Sequence, residues 1–276
     1  MTNNTPLWAG LDLSIPRVMG ILNVTPDSFS DGGRHDTAEA AIAAGFAMAE
    51  DGADIIDIGG ESTRPGADPV PPDAEQARIL PVIKALAAAS VRVSVDTRNA
   101  ATMVAALDAG AAIVNDVSGL THDPDAAAIV AAHRAPVVIM HMRGTPATMN
   151  ALAEYGDVVA EVRAELHARI DAAMAAGIRP DRIMADPGLG FAKTAEQSVA
   201  LLRHLRALAP AALPILVGLS RKRFVGALSA EAQADRRLGG SLAAGLFALS
   251  RGAAVLRVHD VRETVQAVRV WHALSA

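Results

Sequence analysis

Polar residues able to do chemistry recur at one kind of place in this chain, directly after a short apolar run. Asn23 follows the first run, Thr63 and Arg64 lie beyond the second, Asp96 ends the third, Asn115-Asp116 the fourth and His141 the fifth. Asp186 ends the sixth, Ser220-Arg221-Lys222 follows the seventh, and Arg257-Val258-His259-Asp260 finishes the eighth. Lys222, Arg257 and His259 suit the oxygens of a phosphate group, because charge-assisted bonds to phosphate are the strong ones. The only lysines are Lys84, Lys193 and Lys222, in a chain that otherwise uses arginine. A lysine kept inside Ser220-Arg221-Lys222-Arg223 therefore points to a need for a compact ammonium with three donors. Asp96, Asn115 and Asp186 supply two carboxylates and an amide, which can accept from adjacent N–H groups on the edge of a planar heterocycle. Asn23 offers one neutral oxygen, a poor metal site alone but suited to Mg2+ held mostly by water and substrate phosphates.

Each of these residues also has a plainer use. Arg257 and His259 could be ordinary strand-end charges, Asp96 the cap of the next helix, and Asp186 the opener of the Asp186-Pro187-Gly188 turn. Asn23 equally suits a turn before Thr25-Pro26. A lone histidine at a strand end is most often structural, which is how His141 is read, and Asp57 is read as structural support.

What separates the two readings is whether the elements bring these positions together. Short β-rich runs are expected at 17–22, 55–58, 92–95, 112–114, 137–140, 182–185, 215–217 and 255–258, each followed by an apolar-periodic stretch of helical length. Asp36-Thr37 precedes an Ala-rich helix at 38–50, and Pro72-Asp73 opens another that runs to Ala89. The Ala-rich stretches 85–89 and 126–132 fit outer helices. Eight such units can close into a TIM (β/α)8 barrel, whereas a dinucleotide fold would carry G-x-G-x-x-G after the first strand, and none is present. In a barrel all eight carboxyl ends converge on one face, so the scattered residues become one ring. Residues 1–276 are read as a single barrel domain, with 1–15 as an N-terminal extension.

Composition narrows the function further. The chain is 51% hydrophobic but only 3% aromatic, so the core must be built from Ala, Val, Leu and Ile, as suits helices on short buried strands. Zero cysteines exclude disulfides and thiolate metal sites, and a net charge of −5 gives no footprint for nucleic acid. No segment reads as a signal peptide or a membrane helix, so a cytoplasmic protein acting on a small molecule is expected.

The run Met19-Gly20-Ile21-Leu22-Asn23-Val24-Thr25-Pro26-Asp27-Ser28-Phe29-Ser30-Asp31-Gly32-Gly33, followed by Gly59-Gly60-Glu61-Ser62-Thr63-Arg64-Pro65-Gly66, resembles the two signature segments of the dihydropteroate synthases. Ser94-Val95-Asp96-Thr97, Asn115-Asp116-Val117-Ser118-Gly119, Asp186-Pro187-Gly188-Leu189-Gly190-Phe191 and Arg257-Val258-His259-Asp260 extend the likeness from Val18 to about Val265. Ala192 departs from it, where the family often has glycine.

The resemblance implies a transferase of folate biosynthesis that joins a pterin diphosphate to p-aminobenzoate. It implies Asn23 for Mg2+ and diphosphate, Thr63 on the substrate side, and Asp96, Asn115, Asp186 and Lys222 for the pterin. Arg257 and His259 would hold the diphosphate. Phe29, Thr63, Arg64, Pro65 and Ser220, with Lys222, would form the p-aminobenzoate side, where sulfonamides compete. Asp96, Lys222 and Asp186 are the expected catalytic set, and a homodimer is the expected assembly. The rivals are a pterin barrel that transfers the methyl group of a reduced folate to a corrinoid protein, and a non-catalytic binding paralogue.

Overall fold

Aliphatic runs too short for a helix become strands here, and the longer Ala- and Leu-rich runs between them become helices. The computed structural model describes residues 7–25, 34–62, 66 and 69–275. Phe29, Thr63, Arg64 and Pro65 lie outside these residues. In chain order the elements are β1 (Leu7–Trp8), β2 (Leu11–Asp12), β3 (Arg17–Asn23), α1 (Arg34–Glu50), β4 (Ile55–Gly59), α2 (Pro72–Ala88), β5 (Val93–Asp96), α3 (Ala100–Asp108), β6 (Ile113–Asp116) and α4 (Ala126–His133). Then come β7 (Val137–Met140), α5 (Val158–Ala175), β8 (Ile183–Asp186), α6 (Ala195–Arg203), β9 (Leu216–Gly218), α7 (Arg223–Ser229), α8 (Leu238–Ser250), β10 (Val255–Val258) and α9 (Val261–Ser275).

β3 to β10 pair in parallel in the order β8-β7-β6-β5-β4-β3-β10-β9, and a bridge between Ala185 and Ile215 joins the two ends of the series. The result is a TIM barrel. Every residue of β4 to β8 is buried, as expected for strands covered by helices on one side and barrel interior on the other. Most strand boundaries shift by one or two residues from the sequence expectation. β9 begins at Leu216, with Ile215 left to the bridge, and α1 begins at Arg34, so positions 36 and 37 fall inside its first turn rather than before it.

Strand alternation decides what enters the barrel. Met19, Ile55, Ile113, Val138, Met184, Leu216 and Val255 form one buried apolar cluster. Two residues further along their strands, on the same side, stand Ile21, Asp57, Asn115, Met140, Asp186, Gly218 and Arg257. An apolar layer thus underlies a mainly polar one.

The first fifteen residues do more than extend the chain. β1 and β2 form an antiparallel hairpin whose Trp8 and Leu11 join that apolar cluster, and Trp8 Nε1 donates to the Arg182 carbonyl at 3.1 Å. The hairpin closes the amino-terminal mouth of the barrel. Trp8 is 2% exposed, so Trp8→Ala should cost about 3 kcal/mol or more in denaturant unfolding, while substrate KM values at the far end stay unchanged. A loss under about 1 kcal/mol would mean that the hairpin is not part of the core.

Candidate functional site

The upper layer is organised around a guanidinium. Arg257, on β10, donates from Nε to Asp57 Oδ2 and from Nη2 to Asp96 Oδ2, both at 2.6 Å. Asn115 Nδ2 donates to the same Asp57 Oδ2 at 2.9 Å, while Asp57 Oδ1 has no hydrogen-bond partner among the described residues. Asp57 is fully buried, and β10, β4, β5 and β6 all send one side chain into this cluster. Burial pushes the Asp96 carboxyl up to about 7, against the pull of the Arg257 guanidinium and with a further push from Asp57. Burial lowers the Arg257 guanidinium, but Asp57 and Asp96 more than offset this, so it stays charged.

Asp57 therefore does more than support the strand. Its charge fixes Arg257, and by accepting from the Asn115 amide N–H it leaves the Asn115 oxygen as the acceptor for a ligand. The signal was present in the sequence as a carboxylate inside the apolar run Ile55-Ile56-Asp57-Ile58, where only an inward-facing partner makes such a residue tolerable.

Across the barrel, Asp186 ends β8 and Lys222 precedes α7. Asp186 Oδ1 accepts from the Gly188 N–H at 2.7 Å, so the turn-opening use holds for this residue along with its place in the ring. Asp96 is no helix cap: α3 is preceded by Asn99. Lys222 Nζ donates to the Leu189 carbonyl and lies 4.3 Å from the Phe191 ring centroid, a cation–π contact. Burial lowers the Lys222 ammonium to about 8 despite Asp186, and burial likewise raises the Asp186 carboxyl.

The remaining ring residues come from the last two loops and from β3. Ser220 Oγ accepts from the His259 backbone N–H at 3.2 Å and lies 3.1 Å from His259 Nδ1, so the two loops are tied together at these residues. Arg221 forms an ion pair with Asp260. Asn23 is half-buried at the end of β3, paired with Gly59. His141 is structural, as expected: its ring is fully buried, Nε2 lies 2.9 Å from Glu165 Oε2, and burial lowers it to about 3, so it is neutral. Asp116 organises its own loop, accepting from Ser118 and Leu120.

The arrangement places two carboxylates and an amide on β5, β6 and β8 with cations beside them on one barrel face. Comparison with known proteins gives this chemistry a family. Residues 19–259 match the family described as "Pterin binding enzyme". A relative from Synechocystis sp., named dihydropteroate synthase, is 46% identical over 258 residues, 93% of this chain and 89% of that protein. The chain belongs to the dihydropteroate synthases.

Solved members of that family superpose closely. The Xanthomonas albilineans dihydropteroate synthase with 4-aminobenzoic acid is 52% identical, with a TM-score of 0.91 and 97% of each chain covered. The same protein in complex with 7,8-dihydropteroate matches at 49% identity and a TM-score of 0.88, over 96% of each chain. The Yersinia pestis dihydropteroate synthase with a sulfonamide drug is 44% identical, with a TM-score of 0.90, over 96% of this chain and 97% of that one. The departure at Ala192 lies in this site's backbone: its φ is +49°, a region that favours glycine, and its methyl is buried with Val117, Met140, Met142 and Met149.

Asp57→Asn removes one of the two charges on Arg257 while keeping the shape. Affinity for a pterin analogue should fall at least about tenfold, the scale of about 1–3 kcal/mol for a disturbed charged hydrogen bond. Calorimetric titration measures this, and unchanged affinity would return Asp57 to a purely structural role.

Proposed function

We propose that this dihydropteroate synthase condenses 6-hydroxymethyl-7,8-dihydropterin diphosphate with p-aminobenzoate in folate biosynthesis, giving 7,8-dihydropteroate and diphosphate. The observation that carries the reading is the shared layer of Asp96, Asn115, Asp186, Lys222 and Arg257. The ligand-bound relatives support both substrates. Asp96, Asn115 and Asp186 accept from the pterin edge, and Lys222 donates beside them. Arg257 and His259 bind the diphosphate. On the p-aminobenzoate side we place Ser220 and Lys222, together with Phe29, Thr63, Arg64 and Pro65 of the two signature loops; Thr63 also takes part in substrate binding.

In the reaction the C–O bond from the pterin methylene to diphosphate breaks, the aryl amine nitrogen forms the new C–N bond, and its surplus proton leaves to solvent. Positive charge develops on the pterin as diphosphate departs. Three carboxylates, Asp57, Asp96 and Asp186, face it against two cations, Arg257 and Lys222, so the layer favours a cationic heterocycle. No protein nucleophile is required.

Asn23 would hold Mg2+ together with diphosphate oxygens and water, since one neutral side-chain oxygen suits an ion that keeps much of its hydration shell. When bound there, the ion would neutralise charge on the leaving diphosphate. A cytoplasmic homodimer is also proposed, on family likeness. Among the described residues no helix is long and apolar enough to cross a membrane. The corrinoid methyl-transfer alternative fits less well, since the similar proteins over nearly the whole chain carry the synthase name.

Incubating the protein with the pterin diphosphate, p-aminobenzoate and Mg2+ should yield dihydropteroate, suppressed by a chelator and by a sulfonamide; absence of product would overturn the reading. The pH profile of kcat/KM should be bell-shaped. It rises through about 7 as the Asp96 carboxyl loses its proton, and it falls through about 8 as Lys222 loses its ammonium proton. A profile flat across that window would show that neither group needs the assigned charge.

A further inference from the structure

Lys193 is a buried lysine near the site that the reaction as derived above does not use; burial lowers its ammonium well below the usual lysine range, while Asp186 and the acceptors around its Nζ favour the protonated form. It stands one residue before the capping box that opens α6, at the end of the turn after β8. Its Nζ lies 2.8 Å from the Phe191 carbonyl, 2.9 Å from His141 Nδ1, 3.1 Å from the Gly188 carbonyl and 3.3 Å from the His141 carbonyl. An ammonium has three protons, so four acceptors enclose it fully. We propose that Lys193 is a positioning residue for the synthase reaction, holding the turn from Asp186 to Phe191 in the shape that orients Asp186 and seats Lys222.

The turn's contacts toward the site come from Gly188, Leu189 and Phe191, and Lys193 binds the carbonyls of the first and the last. Gly188 donates its N–H to Asp186 Oδ1 at 2.7 Å, while its carbonyl accepts from both Lys193 and the Phe191 N–H, the latter at 3.0 Å. Leu189, between them, turns its carbonyl to Lys222, and the Phe191 ring lies beneath the Lys222 ammonium. The turn is pressed against β7: a Cβ on Gly188, whose φ is +64°, would lie 2.0 Å from the His141 oxygen. Swinging the turn away would therefore shift Asp186 and both partners of Lys222 together.

His141 completes the clamp. Glu165 accepts from the Nε2–H, so the Nδ1 lone pair is left for the lysine, and Arg143 fixes Glu165 in turn, donating from Nε at 3.0 Å. A planar guanidinium could not meet acceptors placed around a tetrahedral ammonium, so arginine is no substitute. The neutral histidine thus has a use, as the acceptor that orients a cation.

The inference rests on the proposed pterin chemistry, and the absence of cysteine from the chain allows a clean test. In Lys193→Cys, affinity for a pterin analogue and kcat should both fall at least about tenfold, the scale of a lost charged contact at a positioned group. Alkylation with 2-bromoethylamine rebuilds an ammonium of nearly the same reach at that single thiol, and affinity should return to within about threefold of wild type. A smaller loss in Lys193→Cys, or alkylation that restores thermal stability without restoring affinity, overturns the proposal. Glu165→Gln provides a second arm that does not touch the turn: weaker pterin binding by about threefold or more supports the clamp, and unchanged binding overturns it. Wild-type protein that binds no pterin would sink the functional reading as well, whereas normal wild-type binding with unaltered variants would sink this inference alone.

Discussion

Two carboxylates on one guanidinium, over an apolar floor, set the terms for the rest of this molecule. Asp57 and Asp96 could not both be carried inside the barrel without Arg257, and Arg257 could not be carried without them. The three come from β4, β5 and β10, so satisfying the charges links strands far apart in sequence across the barrel interior. Asn115 extends the same network to β6 through its bond to Asp57. The electrostatic requirement of the site and the closure of the barrel are in this sense one constraint.

The floor makes that constraint effective. Met19, Ile55, Ile113, Val138, Met184, Leu216 and Val255, sealed from below by Trp8 and Leu11, keep water from the underside of the charged layer. Burial above such a layer disfavours the charged forms, which is why Asp96 and Lys222 both move toward neutral pH against the pull of Arg257 and Asp186.

Much of this was legible in the sequence because strand ends are short and polar residues at their termini stand out. Asn23, Asp96, Asn115, Asp186, Lys222 and Arg257 were found that way, and the period of the barrel brought them together. The hairpin escaped notice because two-residue strands leave no periodicity to read, and its value lies in contacts with residues as distant as Arg182. Asp57 was visible but misjudged, since its partner lies 200 positions away. Lys193 and Glu165 were invisible as a pair: nothing in local sequence shows that a turn after β8 and a helix before it meet the same histidine. Phe29, Thr63, Arg64 and Pro65 rest on family likeness, since they lie outside the described residues.

The plug at the bottom of the barrel also has a history within each folding event. β1 and β2 leave the ribosome before the strands that receive them, for the surface under Trp8 and Leu11 is assembled from β3, β4, β6, β7, β8, β9 and β10, ending at Val255. The neighbouring seam, β3 against β10, likewise joins Arg17 to Val255. Contacts of such sequence separation carry the largest loop-closure cost and form late. The hairpin must wait, apolar and unhoused, until β10 is available, so a segment made before the barrel strands settles after them, and its tryptophan reports the completion of the barrel rather than its beginning.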